Sequence, residues 1–304
     1  MKKMAIGSSL LLFLAACIWG VAFVAQSVGM EYMGPFTFNG TRFLIGGTVL
    51  LPLVAIRIKK KKNTPEEIPA ALTWKGGICC GLAICFASLS QQIGIMYTTV
   101  GKAGFITTLY IIIVPVLGLF LHRKVEGKVW KAALVAAAGM YLLCINESFS
   151  IGKGDALVCL CAVIFSIHIL VIDHFSPKTD GVALSCIQFY TAGIICTAGA
   201  FMMEQPSWDQ IFSGIVPLLY AGVMSCGVAY TLQIIGQKNL DPTVASLILS
   251  LESAVSVLAG WFILGQTLTV KELFGCALVF AAVIWVQMPS TAARISRKYK
   301  PKNE

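Results

Sequence analysis

Residues 98–121 read TTVGKAGFITTLYIIIVPVLGLFL, and residues 242–264 read PTVASLILSLESAVSVLAGWFIL. Each is an apolar run that opens with a short polar turn and small residues. Each leads through a short polar stretch into one further apolar segment. The same design is written twice, about 142 residues apart. In a membrane chain, duplicated halves are the usual sign of a transporter with its site between them.

Composition places the chain in a bilayer. Hydrophobic residues make up 57% of the 304, charged residues only 12%, and the mean hydropathy is +0.82. A soluble domain carries roughly twice that share of charge. Apolar stretches long enough to cross a ~30 Å hydrocarbon core as helix are predicted at 5–28, 36–56, 74–96, 100–121, 130–146, 154–173, 182–203, 211–235, 243–264 and 272–289. The expected fold is therefore an all-α integral membrane protein with ten transmembrane helices, arranged as two inverted five-helix repeats. Residues 1–146 form the first, 147–290 the second, and 291–304 a basic cytoplasmic tail.

Charge sets the orientation. With ten spans and a cytoplasmic N-terminus, the inner side holds Lys2, Lys3, Arg57, Lys59 to Lys62, Lys75, Arg123, Lys124, Lys128, Lys131, Lys178, Lys238, Arg294, Arg297, Lys298, Lys300 and Lys302. That is 19 of the 23 basic residues. Lys102, Lys153 and Lys271 fall outside, and Arg42 lies within a span. The positive-inside rule then puts both termini in the cytoplasm of a multi-pass cell-membrane protein. It also accounts for the net charge of +9, set against an anionic inner leaflet. Nucleic-acid binding is not expected: the run Lys59 to Lys62 has no aromatic or base-reading partner and reads as a solvated face.

Two features imitate something else. Lys2, Lys3 and the run ending Leu14-Ala15-Ala16-Cys17 resemble a lipoprotein signal, but residues 18–25 continue the apolar run, so a retained first span is expected. Eleven cysteines lie inside predicted spans without a CxxC pair or a histidine cluster. They read as small packing residues, and no metal or cofactor is expected.

Weaker correspondences run in the same order. Residues 19–23 (WGVAF) parallel 165–169 (FSIHI), and Thr41-Arg42-Phe43 parallels Ile187-Gln188-Phe189, both at an offset near 146. Ala87 to Gly94 with Gln91 parallels Ala229 to Gly236 with Gln233 at 142. An odd number of spans per repeat forces the second copy to run upside down. Such a pair has two near-equivalent conformations, one open to each side, which is the basis of alternating access.

The chain resembles the ten-span EamA-type exporters of the drug/metabolite transporter superfamily. The carrying residues are WGVAFVAQ at 19–26, GPFTFNGTRF at 34–43, YTTVGKAGFIT at 97–107 and PTVASLILSLE at 242–252. The resemblance covers nearly the whole chain. It implies a 5+5 inverted bundle with a central cavity, exporting amino acids, other small metabolites or toxic compounds. Two departures stand out. Ser253 follows Glu252 where the family often has Pro, and Gly265-Gln266 stands where it often has Gly-Glu.

Glu252, near the middle of the ninth span, and Arg42, about seven residues into the second, are ionisable groups at membrane depth. Each should face the bundle interior or a wet cavity. Glu252 is either a proton-titrating or amine-binding carboxylate, or a structural acceptor. Arg42 either holds a substrate carboxylate or pairs structurally, and direct Arg42–Glu252 pairing is a further alternative. Helical spacing gives shared faces to Trp19, Phe23 and Gln26, to Asn39 and Arg42, to Thr107 and Tyr110, and to Tyr230 and Gln233, with Gln91 late in span three. Aimed inward, these would line an amphipathic, aromatic pocket, although each alone is as well explained as helix glue. His168 is a candidate proton relay against a structural reading.

The expected function is a secondary transporter, an exporter of an amino acid or related small metabolite, with the bilayer, the substrate and protons as partners. No nucleotide-binding loop is present. A nucleotide-sugar or phosphate-ester exchanger is the alternative, and it would need cavity cations beyond Arg42. A membrane enzyme would need a catalytic set at one depth, and none is evident.

Overall fold

A computed structural model describes residues 2–61, 69–98, 100–123, 125–144, 152–265 and 269–288. The basic tail 291–304, Lys62, Lys124 and Gln266 lie outside the described residues. The chain is all-helical there: α1 (Lys2–Gly29), α2 (Pro35–Lys61), α3 (Ala70–Ile95), α4 (Val100–Thr107), α5 (Tyr110–Phe120), α6 (Gly127–Cys144), α7 (Lys153–Phe175) and α8 (Gly181–Met203). Then come α9 (Trp208–Ser213), α10 (Ile215–Leu219), a π-helical stretch Tyr220–Tyr230, α11 (Thr231–Gln237), α12 (Pro242–Leu249), α13 (Leu251–Leu264) and α14 (Val270–Gln287). Helix is what a lipid solvent demands, because it satisfies every backbone donor internally.

Among the described residues, eight segments are long and apolar enough to cross a membrane. Three of them are composite: α4 with α5, α10 through α11, and α12 with α13. The expected fifth and tenth spans correspond to α6 and α14, which are shorter, at 18 residues each, and pack on one another.

Helix ends are set by local chemistry. Asp180 accepts from the amides of Val182 (3.0 Å) and Ala183 (3.1 Å) at the start of α8. Asp241 accepts from Thr243 N (2.8 Å) ahead of Pro242, a residue suited to a first helical turn. Gly265 ends α13 in the left-handed region (φ 65°), where a Cβ would be strained. The start of α2 is capped from afar. Glu204, just past α8, accepts from the amides of Phe36 and Thr37 (2.8 Å each) and from Thr37 Oγ1 (2.6 Å).

The two composite helices quoted at the outset break at matching places. Thr108 Oγ1 donates to Phe105 O (2.9 Å) between α4 and α5. Ser250 Oγ donates to Leu247 O (2.8 Å) between α12 and α13. Hydroxyls that bond back to a preceding carbonyl compete with the helical ladder and bend it. The offset between Thr108 and Ser250 is again 142.

Packing is reciprocal. α2 lies along α8, and α6 along α14. α3 lies along α7, while α1 lies along the segment from Tyr220 to Gln237. Phe43 and Phe189, 146 residues apart, stack with ring centroids 5.9 Å apart and planes within 16°. Small residues let the backbones approach. A methyl added at Gly222 would stand 2.7 Å from Ile45 Cγ2, and one at Gly46 would stand 2.5 Å from Cys226 Cβ.

Candidate functional site: a small polar cavity

A cavity of about 40 Å³ sits where these helices meet, room for a few water molecules. It is lined by Trp19, Phe23 and Gln26 of α1, Arg42 of α2, Gln91 of α3, and Thr107 and Tyr110 at the first helix break. Phe165, His168 and Ile169 of α7 line it too, with Ser225, Tyr230 and Gln233 of the segment after α10, and Leu249 and Glu252 at the second break. Residues spread over more than 230 positions of sequence thus converge on one point.

Arg42 is the cation of this site. Only 3% of it is exposed, and its guanidinium lies over the rings of Phe43 (5.0 Å) and Phe38 (5.5 Å). Such contacts contribute about 0.5–2 kcal/mol, far short of replacing the hydration of a buried charge. Among the described residues no carboxylate pairs with Arg42, so the alternative of direct pairing with Glu252 is not what the fold adopts. Its Nε has no partner.

Glu252 enters the same space. Its Oε1 accepts from the Tyr110 hydroxyl at 2.8 Å, across the 142-residue offset. The two residues occupy matching positions, each at the first turn after a helix break. Tyr110 is placed there by α5, Glu252 by α13.

The aromatic wall is continuous. Trp19 and Tyr230 have centroids 4.5 Å apart, His168 stands edge-on to Tyr230 (6.0 Å) and to Phe165 (6.3 Å), and Trp19 Nε1 donates to Ser225 O at 3.4 Å. Tyr230 closes the π-helical stretch, a geometry often found at functional sites. His168 Nε2 meets Gln188 Oε1 at 3.1 Å, leaving Nδ1 without a partner. Gln91 Nε2 donates to Thr107 Oγ1 at 3.1 Å. Gln26 Oε1 and Gln233 Oε1 also lack partners. Buried polar atoms are rarely left so, and four of them lie on residues lining one small cavity.

Asn39 is the predicted site residue that the cavity does not include. It is fully buried, and its amide donates to Ser88 O at 3.3 Å, tying α2 to α3. Phe165, Ile169, Ser225 and Leu249 line the cavity without having been singled out from sequence. Phe165 and Ile169 were within reach, since they match Trp19 and Phe23 at an offset of 146. Outside the cavity, Lys102 and Asp155 pair at 2.7 Å and Arg123 and Asp173 at 2.6 Å, linking the two ends of the α4–α5 helix to α7.

The model of the EamA-like transporter family matches residues 7–145 and 152–288. An uncharacterized transporter of Archaeoglobus fulgidus is 29% identical over 91% of this chain and 84% of its own length. The uncharacterized inner membrane transporter YedA of Escherichia coli is 22% identical over 91% and 89%. Protein PecM of Dickeya dadantii is 23% identical over 95% of each. One crystal structure superposes with a TM-score of 0.72 at 19% identity, covering 97% of this chain and 99% of that one, which speaks to the fold alone.

Proposed function

The chain belongs to the EamA-like transporter family, and from that premise we propose that it is a secondary transporter exporting a small amphoteric metabolite, an amino acid or a related compound, by alternating access. That it is a multi-pass membrane transporter follows from the family and the relatives. The observation that carries the finer reading is the meeting of opposites in one small cavity. An unpaired guanidinium, Arg42, and a carboxylate, Glu252, line it together. A substrate carboxylate would supply Arg42 with its missing counter-charge through a bidentate contact. A substrate ammonium would find Glu252, Gln233 Oε1 and Gln26 Oε1. The Trp19–Tyr230 wall would pack its carbon skeleton.

The protein would be built as two inverted five-helix repeats spanning ten times, with both termini cytoplasmic in the cell membrane. The two matched segments support that division, as do the helix breaks at Thr108 and Ser250 and the stacking of Phe43 on Phe189. Residues on a twofold axis meet their own counterparts. At about 40 Å³ the cavity is too small for an amino acid, so it corresponds to a closed state between two open ones. Glu252 would carry the coupling proton, with His168 as its relay.

The phosphate-ester alternative is disfavoured because, among the described residues, Arg42 is the lone Lys or Arg lining the cavity. Reconstituted liposomes test the reading. Saturable counterflow of a labelled amino acid into proteoliposomes loaded with the unlabelled one is expected. Silence across amino acids, with flux of nucleotide sugars or phosphate esters, would reverse the choice.

A further inference from the structure

A second, larger cavity lies apart from the central one. It is a crevice of about 640 Å³ with α8 as its floor and the end of α2 and the start of α3 as its walls. Its lining is mostly apolar: Leu51, Val54, Ile187 and Ile194 are typical. The chemistry changes at one end. There Arg57, half exposed, bonds Asp180 at 3.3 Å, and Trp74 stands 59% exposed. Asp180 is already engaged by the α8 amides. Lys59, Lys75 and Lys178 are exposed at the same ends of the same three elements, so the mouth is strongly cationic.

Trp and Arg together mark headgroup depth. From Asp180 to Ile194 the crevice follows fourteen residues of α8, about 21 Å at the helical rise. Half of a ~40–45 Å bilayer, headgroups included, is the same length. We propose that this crevice binds one anionic phospholipid, its acyl chain lying along α8 between α2 and α3 and its phosphate on Arg57. The guanidinium fork suits a phosphate, and the surrounding lysines select a lipid with net negative charge. The smaller crevice at the opposite ends of α2 and α8, about 210 Å³, does not offer this chemistry. It is lined by Thr37, Thr41 and Thr197 and roofed by Trp208 and Ile211 of α9.

Assigning the lipid to the cytoplasmic leaflet rests on the orientation proposed above, but retention of the lipid does not. The experiment is native mass spectrometry of the detergent-purified chain after incubation with an equimolar mixture of phosphatidylglycerol and phosphatidylethanolamine. One retained phosphatidylglycerol per protein is expected. Arg57→Gln should lower its retention about fivefold, the share of one basic side chain near an anionic surface. Ala183→Phe, which fills the floor of the crevice, should remove the adduct while a thermal melt reports that the chain is folded. Equal retention of both lipids would overturn the proposal, as would an unchanged adduct in folded Ala183→Phe protein.

Discussion

The helix formed by α4 and α5 and the helix formed by α12 and α13 share a plan and differ in how they are held. Both break at the cavity, at Thr108 and at Ser250, and both present a polar side chain two residues after the break. The first presents the Tyr110 phenol, the second the Glu252 carboxylate. The first is tied to α7 near each membrane face by the Lys102–Asp155 and Arg123–Asp173 ion pairs. Among the described residues the second has no ion pair. It has instead a ladder of serine hydroxyls, Ser246, Ser250, Ser253 and Ser256, each bonded to a carbonyl three residues earlier, and close packing on α1. Two helices that break at matching places are thus held differently, one anchored by ion pairs and one held by shape. Among the described residues, the helix without ionic ties is the one that carries the ionisable group.

Substitutions can break this comparison, beginning with the cavity that both helices enclose. Removing Arg42 should have the largest effect. Arg42→Gln deletes the cation proposed to hold a substrate carboxylate, and losing one side of a buried charge contact costs about 2–5 kcal/mol. Counterflow should fall by roughly thirtyfold or more, while the thermal melt changes little.

The matching positions come next. Glu252→Gln should abolish flux driven by a pH gradient and weaken exchange less, because a neutral amide cannot carry a proton but still offers an acceptor to the substrate ammonium. Tyr110→Phe removes a donor from a buried carboxylate, at a cost of about 1–3 kcal/mol, yet should preserve the response to pH. If both variants respond alike, the functional difference between the two helices disappears.

Packing gives a smaller contrast. A methyl at Gly20 would meet Val255 Cβ at 2.5 Å and Ser256 N at 2.9 Å, so Gly20→Ala should destabilise by about 1–3 kcal/mol. At Gly104 of the anchored helix the nearest atom is the Ser256 hydroxyl at 2.9 Å, which can yield by giving up its bond to Ser253 O. Gly104→Ala should cost less than Gly20→Ala, the loss being offset in part by a gain in helix propensity. Thermal melts of the pair decide it. Smallest of all should be Asp155→Asn, which loosens the tie to Lys102. A partly exposed pair contributes about 0–1 kcal/mol, and the loss should shrink further in high salt.

The sequence carried the membrane class, the positions of the helices and most of the cavity, because these follow from hydropathy and helical spacing. Trp19, Phe23 and Gln26 share a face by periodicity alone, and that face does line the cavity. Asn39 obeys the same spacing relative to Arg42 yet bonds Ser88 of a neighbouring helix, since spacing fixes a face without saying what that face meets. The helix breaks and the π-helical stretch were not legible. The breaks depend on whether a hydroxyl bonds its own backbone, a choice made by tertiary packing. Phe165 matches Trp19 at the offset of 146, but a phenyl ring carries no polar signal that marks a cavity.

The most direct test of the account asks whether matching positions in the two halves face opposite sides of the membrane. Lys59 and Gln205 are 146 residues apart, at the ends of α2 and α8. A phosphatase reporter that is active only beyond the cytoplasm should be silent when inserted after Lys59 and active when inserted after Gln205. The same result at both sites would mean that the halves run parallel, and the paired cavity architecture would fall with it.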